Sequence, residues 1–188
     1  AALATIDRAI ALAPDNADLH LARAGVLVGS RRNEDAQAAL SQATGLDPNQ
    51  FTAYLIQGQL ALGRGDLDEA ERLARLAARV SPDHPQLAAI TGMVALRRSK
   101  PDEALKIVSA ALQEAPDDVQ LRYALGFIHM ALGHWAFAEQ AFRGVVEKVP
   151  GSDSLRSLIA DLLRRQGRSA EAADELAPLV AINNAPAV

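Results

Sequence analysis

Residues 119–152 read VQLRYALGFIHMALGHWAFAEQAFRGVVEKVPGS. In the portion 121–135 the only certain charge is Arg122. A helix there is apolar around nearly its whole circumference, so it must be buried on all sides or grip something. It is too short to cross a bilayer, which takes roughly 20 apolar residues.

Moving outward from this stretch, the chain repeats itself. Pro14, Pro48, Pro82, Pro116 and Pro150 are spaced at intervals of 34, and they are five of only nine prolines. Ala2, Ala36, Ala70, Ala104, Ala138 and Ala172 keep the same interval, as does the small column Ala24, Gly58, Gly92, Gly126 and Ala160. A further column runs Ala9, Ala43, Ala77, Ala111 and Val145. A fixed period of this length means stacked supersecondary units.

Each unit reads as two helices and two turns. After each proline come turn and capping residues, as in PDN, PNQ, PDD and PGSD, and then an apolar-periodic run. About fifteen residues on, a second turn appears in LGRGDLDEAE, RRSKPDEALK, ALGHWAFAEQ and RRQGRSAEAA. Asp66 with Glu69 fits a capping box, and Pro101 sits where a missing N–H costs little. Small columns let helices approach closely, and the recurring proline stops each second helix.

On these residues the chain resembles the tetratricopeptide repeat (TPR) family over essentially its whole length. It begins with a half repeat at 1–16 and continues with units 17–50, 51–84, 85–118, 119–152 and 153–184, ending in a tail at 185–188. Unit 119–152 carries the pattern most completely, with Leu125-Gly126, Ala138, Phe142 and Pro150. The resemblance implies an all-α, right-handed superhelical solenoid of eleven helices in antiparallel pairs, whose first helices line a concave surface. The organisms suggested are bacteria. Departures are also plain. Arg23, Gln57 and Thr91 stand where a large apolar residue is usual, and His20, Ala88, Arg122 and Arg156 replace early aromatics, with Tyr54 retained. Pro178 falls inside the last second helix and is expected to end or kink it near Ala177. The tail AINNAPAV, 181–188, is expected not to extend a helix, and the last pair then needs a cover from the tail, a second molecule or a further domain. The opening AALATIDRAIALAP reads as the second half of a unit.

The register then gives the groove implied by the resemblance. Leu55, Leu62, Met93, Leu96, Tyr123, Phe127 and Met130 fall in first-helix columns, with Arg164 and Arg165 as a basic rim beyond. Tyr123, Phe127 and Met130 make one stripe, because spacings of four and three share a helix face. For the earlier positions a core role competes, since polar Arg23, Gln57 and Thr91 allow a rotated helix. The positions that match the carboxylate clamp of chaperone-adaptor relatives, from Leu21 and Gly25 through Ile56 to Gln86 and Ile90, lack its Lys, Asn and Arg.

Other chemistry is thin. There is no cysteine, hence no disulfide, thiolate nucleophile or zinc-thiolate site. A formal net charge of −4 argues against general nucleic-acid binding, which rests on cations neutralising phosphates. Arg64-Gly65-Asp66 reads as a turn and a cap rather than an adhesion tripeptide. GQLALGRGD lacks the ending of a phosphate loop, and the acidic pairs Asp68-Glu69 and Asp102-Glu103 suit helix N-termini. His129 and His134 are five apart across a turn and share no helix face, so packing for His129 and a turn role for His134 are expected, without metal.

The expected function is a noncatalytic protein–protein interaction module binding an apolar or amphipathic segment of a partner, with no cofactor and no membrane insertion. The alternatives are a self-associating or assembly subunit of a bacterial secretion, pilus or envelope-polymer machine, and an accessory repeat domain of a larger enzyme. Neither partner identity nor compartment is encoded.

Overall fold

The structure, a computed structural model, describes residues 2–183. Among the described residues it is all-α, with eleven helices and no strand. In chain order these are α1 (Ala2–Leu12), α2 (Ala17–Gly29), α3 (Asn33–Leu46), α4 (Phe51–Arg64), α5 (Leu67–Val80) and α6 (Pro85–Arg97). There follow α7 (Pro101–Glu114), α8 (Val119–Ala131), α9 (Trp135–Lys148), α10 (Asp153–Arg165) and α11 (Ser169–Asn183). The chain divides into two compact units, Ala1–Val94 and Ala95–Val188.

The tight turns within helix pairs have one geometry. Arg31, Gly65, Ser99, Gly133 and Gly167 all adopt positive φ, between 58° and 80°, and they too are 34 residues apart. The next N–H reaches back five residues to a carbonyl in every case: Arg32 to Leu27, Asp66 to Ala61, Lys100 to Ala95, His134 to His129 and Arg168 to Leu163, at 2.9–3.0 Å. This is the Schellman closure, which gives donors to carbonyls the helix end leaves open. The glycines at three of these positions suit the left-handed backbone; Arg31 and Ser99 occupy it despite carrying a Cβ.

The other corners follow the prolines. Asp47, Ser81, Ala115 and Val149 each precede a proline and leave the helix with φ between −127° and −144°, as steric conflict with the proline ring requires. The following helices are capped by side chains where the sequence supplies them. Asn16 accepts from the N–H of Asp18 and Leu19, and Asp118 from that of Leu121. Asp66 likewise caps through the N–H of Glu69. The capping box is only half made, however, because the Glu69 carboxylate turns to Arg72 in two bonds of 2.7 and 2.8 Å.

The small columns face the cores. Ala36, Ala70, Ala104, Ala138 and Ala172 are all at most 1% exposed, and Ala24 and Ala160 are fully buried. In the first unit one core gathers Ala24, Leu27, Ala39 and Leu40, and another Leu55, Leu73, Ile90 and Val94. The second unit is centred on Phe142, Leu155, Ile159 and Leu163. The polar departures are accommodated individually. Arg23 donates to Asp7 at 2.8 Å, Thr91 donates to the Leu87 carbonyl of its own helix, and buried Gln57 reaches Ser41 at 3.5 Å.

One expectation for the C-terminal end needs correction. Helix α11 runs through Pro178 to Asn183, so it does not end near Ala177 and it takes in the first residues of the tail, which were expected not to extend a helix. Pro178 and Asp174 are both exposed, so the carbonyl that loses its donor is one water can serve. The rest of the tail, 184–188, lies outside the described residues.

Candidate functional site

Helix α8 is placed by its cap and by one missing carbon. Asp118 anchors the start, and Gly126 in the middle leaves room for the fully buried Phe142 of α9. A Cβ on Gly126 would stand 2.4 Å from the Phe142 ring. Close approach puts three rings in edge-to-face contact: Phe127 with Phe142 at 5.1 Å, Tyr123 with Phe127 at 4.9 Å, and Tyr123 with Phe142 at 6.2 Å. Such pairs contribute roughly 0.5–1.5 kcal/mol beyond the area they bury. The stack rises from the core to the surface, where Tyr123 is 39% exposed.

Phe127 and Met130 are half-buried and pack on the core of the second unit, so the stripe is continuous with the core rather than separate from it. Trp135 packs against the same core and lies beneath Arg165, whose guanidinium carbon is 5.0 Å from the ring centroid. The basic rim is therefore weaker than the sequence suggests. Arg164 is bound to Asp161 at 2.9 Å, which leaves Arg165, held over Trp135.

The earlier positions fare differently. Leu55 is 4% exposed and belongs to a core of the first unit, so it lines no groove. Leu62 is half-buried against that core, and Met93, in the same unit, is half-buried. Leu96, also half-buried, belongs to the second unit. The column argument failed at Leu55 because a period of 34 assigns equivalent positions, while the local helix rotation decides which of them meet the core.

Several features escaped sequence reasoning. Replacement of early aromatics has a shared purpose at two positions: His20 Nε2 and Arg122 Nε donate to the carbonyls of Pro14 and Pro116, at 2.8 and 2.9 Å. The identical six-residue offset from the proline column was the available signal. Glu139 is buried yet receives Arg143 at 3.0 Å, Arg168 at 2.6 Å and Gln166 at 2.9 Å. Burial opposes ionisation of its carboxyl, but bonds from Gln166 and Arg143 and the charge of Arg168 outweigh it and hold the carboxyl below its usual range. Glu175 extends the network to Arg143 and Arg156, both at 2.9 Å. These are structural ion pairs that join α9, α10, α11 and, through Arg168, the turn between α10 and α11.

The two histidines were expected to play separate parts, yet the α8–α9 turn brings His129 Nδ1 and His134 Nδ1 to 3.4 Å. Phe137, 60% exposed, stacks on His129 at 5.3 Å. Burial first, and the neighbouring His134 second, lower the pKa of His129. The tripeptide Arg64-Gly65-Asp66 does what its turn chemistry implies: Gly65 is left-handed and Asp66 caps α5. Among the described residues, no helix is long and apolar enough to cross a membrane.

Comparison with known proteins agrees with this architecture. Tetratricopeptide repeat family profiles match residues 21–85 and 57–119, and a second such profile matches 95–152. No match was found among curated proteins. Among solved structures, YrrB, a TPR protein with an unusual peptide-binding site, is similar at 22% identity and a TM-score of 0.57, over 91% of this chain and 88% of that one. A chain of the APC/C hetero-tetramer Cut9–Hcn1 aligns at 17% identity and a TM-score of 0.81, covering 93% of this chain and 36% of its own. Human IFIT1, a dimer with m7Gppp-AAAA, aligns at 18% and 0.79, covering 95% and 44%. At such identities the likeness establishes the fold alone, an all-α TPR solenoid of antiparallel helix pairs.

Proposed function

We propose that this chain, which belongs to the tetratricopeptide repeat family, is a noncatalytic interaction module that holds an apolar or amphipathic segment of a partner protein against helix α8. Membership of the family makes it a protein-interaction scaffold in the broad sense. The observation that carries the narrower reading is the aromatic stack running from buried Phe142 through Phe127 to Tyr123 at the surface. A ring supported by two others is already fixed, so a ligand that covers it orders little else. Half-buried Met130 offers an adaptable thioether on the same helix face. An apolar helix with anchors at i and i+3 or i+4 matches this spacing. The exposed guanidinium of Arg165 favours an acidic residue on the ligand. The net charge of −4 gives no general attraction to a phosphate backbone, so the partner is read as protein.

The test selects short amphipathic peptides from a display library against the intact chain and measures their affinity by fluorescence anisotropy. Because Phe127 also packs on the core, Phe127→Glu is expected to lose both stability and binding. Tyr123→Ala is the cleaner variant. It should fold as the wild type does and bind at least about tenfold more weakly, since a buried aromatic contributes roughly 1.5–3 kcal/mol. Unchanged affinity for Tyr123→Ala with intact helicity places the peptide elsewhere and ends this reading.

A further inference from the structure

The helix-pair turn recurs five times, and its closing bond joins Leu27 to Arg32, Ala61 to Asp66, Ala95 to Lys100, His129 to His134 and Leu163 to Arg168. Only the fourth pair carries two metal-ligating side chains. There the backbone bond, 2.9 Å from the His134 N–H to the His129 carbonyl, fixes the two Cα positions that carry the rings. The two Nδ1 atoms lie 3.4 Å apart. Zinc–imidazole bonds of about 2.0–2.1 Å meeting at a tetrahedral angle hold two nitrogens roughly 3.3–3.4 Å apart. The separation is thus the bite of a chelating pair.

We infer that His129 and His134 form a two-histidine site for a borderline-soft transition-metal dication, zinc or copper(II), which ties the end of α8 to the start of α9. As it stands, the Nδ1···Nδ1 approach is a long hydrogen bond in which one ring donates and the other accepts. Binding replaces that weak bond. The donating ring shifts its proton to Nε2, both Nδ1 lone pairs turn to the cation, and neither neutral ring loses a proton overall. Phe137 stacks on His129 at 5.3 Å and meets His134 edge-on at 6.2 Å, so it borders both imidazoles. Among the described residues no group of three or more His, Asp or Glu gathers to hold a metal, so the remaining positions go to water and the site is open. The other two histidines do not compete: His20 is bonded to the Pro14 carbonyl, and His84 accepts from the Gln86 N–H. Imidazole without carboxylate selects against hard cations such as magnesium.

Calorimetric titration of the full chain, first stripped by chelator, with zinc chloride, copper(II) chloride and magnesium chloride tests this. One equivalent of zinc should bind, copper(II) more tightly and magnesium not at all. His129→Gln and His134→Gln should each weaken zinc binding by at least about tenfold. His20→Gln, His84→Gln and Phe137→Ala should retain it. Nitrogen-15 spectra of the imidazoles should show the metal on Nδ1 with Nε2 protonated, for His129 and His134 only. Because His134 is exposed at the turn, its variant keeps the fold and isolates the ligand role. The inference is overturned if zinc leaves those two imidazole signals unmoved, or if His134→Gln binds zinc as the wild type does.

Discussion

Substituting Gly126 by alanine tests the packing on which the aromatic stack depends. Alanine in mid-helix gains roughly 1 kcal/mol of helix propensity over glycine. Against that, the new Cβ would lie 2.4, 2.5 and 2.8 Å from three carbons of the Phe142 ring. Overpacking a filled core costs about 1–3 kcal/mol. Three contacts this short, on a ring with 0% exposure, put the cost at the top of that range. The net expectation is a loss of about 2 kcal/mol, or a melting temperature lower by roughly 4–8 °C in a chain of this size. Displacing Phe142 also moves Phe127 and Tyr123, so peptide affinity should fall with stability. Gly25→Ala is the matched control, since nothing lies within 4 Å of a Cβ there; it should gain up to about 1 kcal/mol. The assay is thermal and urea unfolding followed by circular dichroism, with Gly126→Ala repeated in a Phe142→Leu background. If the ring is the obstacle, the second substitution removes most of the penalty. A Gly126→Ala protein at least as stable as the wild type would refute the packing argument.

Further outcomes follow from the turns and the ion network. At the left-handed column, Ser99→Gly should raise stability by up to about 1 kcal/mol, while Gly133→Ala should lower it by about 1–2 kcal/mol, read as shifts in the urea midpoint. Glu139→Ala leaves Arg143 and Arg168 without their shared carboxylate; because both guanidiniums are partly solvated, the expected loss is about 1–3 kcal/mol. The pH dependence has a definite sign. The Glu139 carboxyl titrates lower when folded than when unfolded. Its stabilisation is therefore present above the unfolded-state value of about 4.3 and is lost as pH falls through the folded pKa. Acid unfolding of Glu139→Ala should accordingly be shallower than that of the wild type, and equal slopes would assign the acid sensitivity to other carboxylates.

The sequence by itself determined the repeat. Prolines, alanines and small residues at an interval of 34 fix where helices stop and which positions allow close approach, because those effects are local to the backbone and steric. The left-handed turn was legible where it carries glycine, at Gly65, Gly133 and Gly167, and not at Arg31 or Ser99, where tertiary packing overrides a modest backbone preference. The stripe of Tyr123, Phe127 and Met130 could be read from helical spacing, but its graded burial could not. How much of each side chain stays open depends on Phe142 filling the space over Gly126, a contact between helices. Leu55 shows the same limit, since helix rotation within the first unit sends it to the core. The approach of His129 to His134 and the convergence of Arg168 and Gln166 on Glu139 were also decided in three dimensions. Arg143 lies four residues along α9 from Glu139 and meets it by helical spacing. His134, Gln166 and Arg168, by contrast, lie in turns and reach His129 and Glu139 only when a turn of fixed geometry and the packing of neighbouring helices bring the side chains within bonding distance.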